Sequence, residues 1–541
     1  MKKLLLATLA LLSSLQLSAE VKLHQLFSNG AVFQRGQAVP VWGWADAGST
    51  VEVNFSGQSK STKADASGKW MVKLNALKAS DKGQELTVTS GSDKLSVTDI
   101  LIGEVWICSG QSNMDWMMAQ LTKPARDPFY NPISEYVKKE IETANDPLLR
   151  QIEVKKEVSP TEELKNINGE WKSVAPANSI NFTATGYFFA RELRKNLNVP
   201  VGLIKCAWGG TLVEPWVPMA KYQTNDELKN FYAQESTAKI EKAKSWWTPD
   251  KAKELHKKQL AEWEENKKAA AAAGKKFKQR QPRPIPDPAK SNRIPSTLYN
   301  GMIAPLVPYA VKGAIWYQGE SNAKYQNDNY QKHFTALIEG WRTAWAQDRL
   351  DFYFCQLAQF RDPAKTPVDN DGWVNVIYQQ FLTCLAVPNT GMAVLNDIGE
   401  ANDIHPHNKV DAGKRLSLWA LAKTYGKDLE AYSGPLYKSS KIEGSKVIIT
   451  FDSVGSGLMT GKKHLLDPVV EVQEELKHFQ IKGADNQWKW ATAKIISKDS
   501  IEVSHPEISA PVEVRYAWAG NAKGANLYNK EGIPASCFKT K

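Results

Sequence analysis

The stretch Gly103-Glu104-Val105-Trp106-Ile107-Cys108-Ser109-Gly110-Gln111-Ser112-Asn113-Met114 is an apolar run that stops in a turn of small and polar residues. Two further stretches share this form. Val201 to Ala207 runs into Trp208-Gly209-Gly210-Thr211, and Gly313 to Tyr317 runs into Gln318-Gly319-Glu320-Ser321-Asn322. Short apolar runs followed by Gly/Ser turns and then by helical spacing, as in Asn329 to Trp345, predict a parallel sheet with crossover helices, an α/β fold. In an open parallel sheet ligands sit beyond the carboxyl ends of the strands, so the three turns are expected to converge.

A serine at a strand-to-helix turn is well placed for nucleophilic attack, because the following helix presents unpaired N–H groups toward it. Ser112 is therefore the candidate nucleophile. Such N–H groups stabilise an oxyanion, one donor being worth ~3 kcal/mol. A serine also needs a base, and the chain offers eight histidines. The informative stretch is Asp403-Ile404-His405-Pro406-His407. Pro406 pushes His405 toward an extended conformation, so Asp403 and His405 are expected to project to one side, with the Asp holding the imidazole tautomer. His407 shares that parity, which leaves either histidine as the base. Two other readings of this stretch exist, a polar loop with a satisfied histidine and a metal site. Two histidines two apart in a Pro-containing loop match no recognised zinc spacing, so no metal is assigned.

Outward from this region the pattern changes. From Val21 to about Thr98 strands alternate, with Val51, Val53 and Phe55 on one face and Leu86 and Val88 later, which predicts a sandwich-like β domain over 20–98. The same period returns in Val447/Ile449/Phe451 and Val512/Val514/Tyr516/Trp518, giving a second β domain over 431–541. The catalytic domain then spans 99–430 and contains a Lys-, Glu- and Ala-rich insertion over 221–290. Thr224-x-x-Glu227 reads as a capping box and Thr248-Pro249 as an N-cap with an N1 proline, so the insertion is expected to be a helical hairpin ending in Pro282 to Pro288. It is either a surface excursion or a wall of the substrate cleft.

Met1-Lys2-Lys3, the apolar run Leu4 to Leu12 and a Ser-rich end at Ala19 read as a cleavable signal peptide over 1–19, which predicts a periplasmic or secreted protein. No later segment carries the ~20 uninterrupted apolar residues of a membrane span. The net charge of +11 owes much to Lys251 to Lys278 with Arg280 and Arg283, a run read as a solvated face and not as a nucleic-acid site. Cys108, Cys206, Cys355, Cys384 and Cys537 are odd in number and widely spaced, so free thiols are expected in place of a disulfide framework. The oligomeric state is unspecified.

Gly103 to Met114, Trp316-Tyr317-Gln318-Gly319-Glu320-Ser321-Asn322 and Asp403-Ile404-His405-Pro406 closely resemble the sialate O-acetylesterase family of SGNH hydrolases. The likeness extends from Phe33-Gln34-Arg35 and Trp42-Gly43-Trp44 to Asn526-Leu527-Tyr528-Asn529. It implies an SGNH, flavodoxin-like hydrolase core flanked by the two β domains, acting on O-acetylated carbohydrate without a cofactor. Residue by residue, it implies Ser112 as nucleophile, His405 as base, and an oxyanion hole formed by the N–H groups of Ser112 and Gly210 and the amide of Gln318. The general SGNH pattern places the Asp three residues before the His, whereas Asp403 lies two before His405. Glu320 is the alternative acid, or a brace for the Ser112 turn. Trp208, Trp316 and Tyr317 adjoin the turns and are the candidate sugar-stacking aromatics. Family members resemble either sialate 9-O-acetylesterases or esterases of xylan and xyloglucan. A non-catalytic glycan-binding protein and a lipase or thioesterase on the same core are the alternatives.

Overall fold

The computed structural model describes residues 20–325, 327–367 and 371–540, so the segment read as a signal peptide, 1–19, lies outside the described residues. Five strands form the centre: β1 (Asp93–Gly110), β2 (Val201–Ala207), β3 (Gly313–Tyr317), β4 (Asp351–Cys355) and β5 (Thr390–Ala393). They lie in the order β2-β1-β3-β4-β5 and run parallel. Asp146–Glu153 extends the sheet beside β2, and Trp171–Val174 closes that edge antiparallel, making the sheet mixed. All of β2 and β3, and β1 from Ile100 onward, is buried. Burial on both faces is why these strands read as continuous apolar runs. The chain moves to one side of β1 for β2 and to the other for β3, so the crevice at the carboxyl ends of β1 and β3 is the topological switch point.

The N-terminal strands form a β region that is not separate from this sheet. The first half of β1 pairs with Ser80–Ser90 and with Val32–Gln34, and its second half pairs with β2 and β3. The boundary read at 98/99 thus falls inside one continuous strand. Val51, Val53, Phe55, Leu86 and Val88 are buried as the alternation predicts.

After the helix Lys409–Trp419 the chain enters a second β region, beginning with the strand Leu436–Glu443. Val447, Ile449, Phe451, Val514 and Tyr516 fill its core. Val512, expected to share that face, is 50% exposed. This region grips the segment that follows β5. Asn396 Nδ2 donates to Ala535 O at 2.9 Å, the Tyr528 hydroxyl reaches Asp397 Oδ2 at 3.3 Å, and Lys463 pairs with Asp411 at 2.7 Å.

The insertion is helical, with Ala238–Trp246 followed by Pro249–Ala272. Thr248 caps the second helix by accepting from Lys251 N–H at 3.2 Å. The capping box read at Thr224 is not formed. Asn225 is the N-cap and accepts from Leu228 N–H at 3.1 Å, while the Thr224 hydroxyl bonds back to Ala220 O, because an amide side chain one residue later reaches the first-turn N–H directly. All five cysteines are free, and Cys384 is the one not fully buried. Among the described residues no helix is long and apolar enough to cross a membrane.

Candidate active site

The turn after β1 is built for close approach. Gly110 has φ +132°, and a Cβ there would lie 2.2 Å from Tyr317 O, so only glycine brings the turn against β3. Gln111 N–H then donates to Tyr317 O at 2.9 Å, and Ser112 opens the one-turn helix Ser112–Asp115.

The Ser112 hydroxyl lies 2.8 Å from His405 Nε2. The imidazole stacks on Trp116, with ring centroids 4.4 Å apart and planes tilted by 21°. Asp403 Oδ1 accepts the backbone N–H of His405 at 2.9 Å and lies 3.5 Å from its Nδ1, while Oδ2 pairs with Arg126 Nε at 3.0 Å. This is the physical meaning of the two-residue spacing. An Asx-type turn, in which a carboxylate accepts from the N–H two residues on, also brings the carboxylate to the ring. Burial pushes the His405 pKa down to about 4, helped by the Lys409 charge and opposed by Asp403. The imidazole is accordingly neutral at neutral pH.

His407, which shares the sequence parity, turns elsewhere. Its Nδ1 and backbone N–H both meet Glu400 Oε1, at 2.9 and 2.6 Å, in the interior. Glu320 likewise makes no hydrogen bond to His405 among the described residues. Its Oε1 accepts from Asn113 Nδ2, and burial raises its pKa against that bond and the nearby Lys409 charge. Asn113, next to the serine, also donates to Ile404 O at 3.0 Å and accepts from Lys409 Nζ at 2.7 Å. Lys409 Nζ donates onward to Pro406 O at 2.6 Å. One buried network thus ties the serine turn, the β3 turn and the histidine loop together.

Sequence reasoning missed Trp116, Asn113, Arg126 and Lys409. For Lys409 a signal existed: it is the first residue of the helix Lys409–Trp419, where a cation opposes the helix dipole unless it has another partner.

Gly210 has φ +77°, and its N–H, like that of Ser112, donates to no group among the described residues. The neighbouring Gly209 lies against the serine, since a Cβ on it would be 3.3 Å from Ser112 Cβ. Three assignments need correction. Gln318 is fully buried, and its two amide N–H groups face three acceptors, Asn322 Oδ1 at 2.7 Å and Gln111 Oε1 and Thr211 O at 3.2 Å. It braces the turns and has no free donor for an oxyanion. Trp316 and Tyr317 are also fully buried, because β3 is a central strand covered on both faces. Trp316 packs against Trp216, Phe334 and Trp341, so neither side chain can stack on a sugar. Trp208 remains accessible and lines a cleft beside the site.

A serine hydroxyl bonded to an imidazole, an acid beyond that imidazole and two unpaired N–H groups, set at the switch point of a parallel sheet, define an ester hydrolase. A family model described as carbohydrate esterase, sialic acid-specific acetylesterase, matches residues 102–246 and 269–425. The chain belongs to that family, which displaces the non-catalytic glycan-binding alternative. It is 28% identical to a sialate O-acetylesterase of Rattus norvegicus, over 88% of this chain and 85% of the relative. It is 26% identical to a sialate O-acetylesterase of Homo sapiens, over 94% and 91%. The crystal structure of a carbohydrate acetylesterase from Xanthomonas citri superposes with a TM-score of 0.75 at 35% identity, covering 96% of this chain and 99% of that one.

Proposed function

We propose that the protein is a carbohydrate O-acetylesterase of the SGNH superfamily that works through an acetyl-enzyme on Ser112. The observation that carries this reading is the 2.8 Å approach of Ser112 Oγ to His405 Nε2. His405 takes the hydroxyl proton as Oγ attacks the acetyl carbonyl, and the N–H groups of Ser112 and Gly210 hold the oxyanion. The tetrahedral intermediate expels the sugar alkoxide, which leaves with the proton from His405. Water, deprotonated by the same ring, then cleaves the acetyl-enzyme to acetate and free serine. Asp403 fixes the ring and stabilises the imidazolium, its 3.5 Å distance to Nδ1 shortening as the charge forms. The signal-peptide pattern read at 1–19 supports export to the periplasm or the outside of the cell. The substrate is either 9-O-acetylated sialic acid or an acetylated hemicellulose. Time-resolved acetate release from O-acetylated sialic acid, acetylated xylan and acetylated xyloglucan tests this. One of the three is expected to be turned over well ahead of the others, and release from none would sink the reading.

The acid is tested separately. Asp403→Asn keeps size and removes charge, and is expected to lower kcat by up to ~10⁴ where the wrong tautomer results. Glu320→Gln, an isostere of the protonated carboxyl, is expected to cost much less. A folded Glu320→Gln variant slower than Asp403→Asn would move the acid to the β3 turn.

A further inference from the structure

Beside the site lies a cleft of about 1120 Å³ between the core and the helical insertion. It shares a residue with each of two site turns. Trp208 precedes Gly209, which packs against Ser112, and Tyr325 ends the helix that Glu320 begins. The opposite wall comes from the insertion, through Trp246 and the strip from Arg283 to Pro288. That strip is held in place by the long helix Pro249–Ala272. His256 Nε2 lies 3.2 Å from Pro282 O, and Trp263 Nε1 donates to Gln279 O at 3.0 Å. Most of this helix, 249–268, falls in the gap between the two matched segments of the family model, whereas Trp246 and Arg283 to Pro288 fall within them.

The lining has the chemistry of a sugar-chain subsite. Trp246 is 47% exposed and Tyr325 is 51% exposed, so with Trp208 three flat aromatic side chains face open space that the protein does not fill. Isolated exposed aromatics need no explanation, but three lining one cavity suit a ligand with apolar ring faces. Arg293 lies over the Tyr325 ring at 5.3 Å, and Lys324 Nζ lies 5.1 Å from the same ring. Arg283, Lys290 and Arg293 are interleaved with Glu235 and Asp287, a nearly balanced mixture of donors and acceptors. Such a lining matches hydroxyl groups better than a run of carboxylates, which would call for one sign of charge. The volume exceeds the ~300–1000 Å³ of small-molecule sites, so it accepts far more than one acetylated sugar.

We propose that this cleft binds the uncharged backbone of a polymeric glycan, holding several sugar units beyond the one whose acetyl group lies at Ser112, and that the insertion confers this preference for polymer. The proposal rests on the esterase reading above and would fail separately from it. The experiment compares wild type with Trp246→Ala/Tyr325→Ala on three substrates: 4-nitrophenyl acetate, acetylated xylan, and an acetylated acidic polymer such as O-acetylated polysialic acid. Wild type is expected to favour the neutral polymer in kcat/KM. The double variant is expected to lose at least about tenfold on that polymer, mostly through KM, as the loss of one or two stacking contacts predicts. Its rate on 4-nitrophenyl acetate, which reaches Ser112 without entering the cleft, is expected to stay within about twofold of wild type and so reports an intact fold. Equal losses on polymer and small ester, no loss on the polymer, or a wild-type preference for the acidic polymer would each overturn the proposal. No hydrolysis of any substrate by wild type would overturn the esterase reading instead.

Discussion

Ser112→Ala is expected to lower kcat by ~10⁶ while the protein folds and binds substrate as before, because losing the nucleophile of a catalytic unit leaves only the oxyanion hole and binding. Among the described residues the side chain makes one hydrogen bond, to His405 Nε2, and it sits on a turn fixed by Gly110, Gln111 and Asn113 and not by its own hydroxyl. Its removal therefore leaves the turn and its N–H groups in position. Thermal unfolding should be near that of wild type, and a slow substrate should bind with unchanged Kd. The companion test is non-additivity: Ser112→Ala/His405→Ala should be no slower than either single variant, since neither partner works without the other. Retention of more than about a hundredth of the wild-type rate in Ser112→Ala would assign the nucleophile elsewhere.

The parallel core was legible in the sequence because its strands are buried on both faces, and such strands stand out as apolar runs broken by polar turns. The turns themselves marked the site, since ligands gather where these strands end. What lay within two residues of a turn was harder to read. Trp316 and Tyr317 border the β3 turn in sequence yet point into the layers above and below the sheet, and closeness along the chain says nothing about which way a strand residue faces. Gln318 was misread because a glutamine, one methylene longer than the usual asparagine, reaches back to Gln111 and Asn322. The join of the two β regions had a signature: after Leu95 and Val97, which alternate with polar residues, β1 turns into the run Ile100 to Cys108, apolar but for Gly103 and the buried Glu104. A strand that changes period midway has one face exposed in its first half and none in its second. The Lys409 network escaped notice because its members, Asn113, Glu320 and Lys409, come from three distant segments that only the fold assembles.

His405→Ala is expected to be as damaging as the serine change, ~10⁶ in kcat, whereas His407→Ala should keep kcat within a few-fold of wild type. The two histidines are two residues apart but do different things. His407 Nδ1 bonds the buried Glu400, whose Oε1 keeps the His407 backbone N–H when the ring is removed, so the loss of one charge-assisted hydrogen bond, about 1–3 kcal/mol, falls on stability. A lowered Tm with retained turnover is therefore the signature at His407, and lost turnover with near-normal Tm the signature at His405. The pH profile is a second test of His405. A general base works only when unprotonated, and burial together with the Lys409 charge holds His405 below the usual imidazole range, near 4. As pH falls, kcat/KM should stay flat through 6.5 and decline only as the ring protonates, near pH 4. Lys409→Met removes a cation that disfavours the imidazolium, so the acid limb should move up in pH in that variant, with thermal unfolding reporting whether the loop that Lys409 ties through Asn113 and Pro406 keeps its fold. An acid limb near 6.5 in wild type would show that His405 is not held below the usual imidazole range, and a greater loss of turnover at His407 than at His405 would place the base on the other ring.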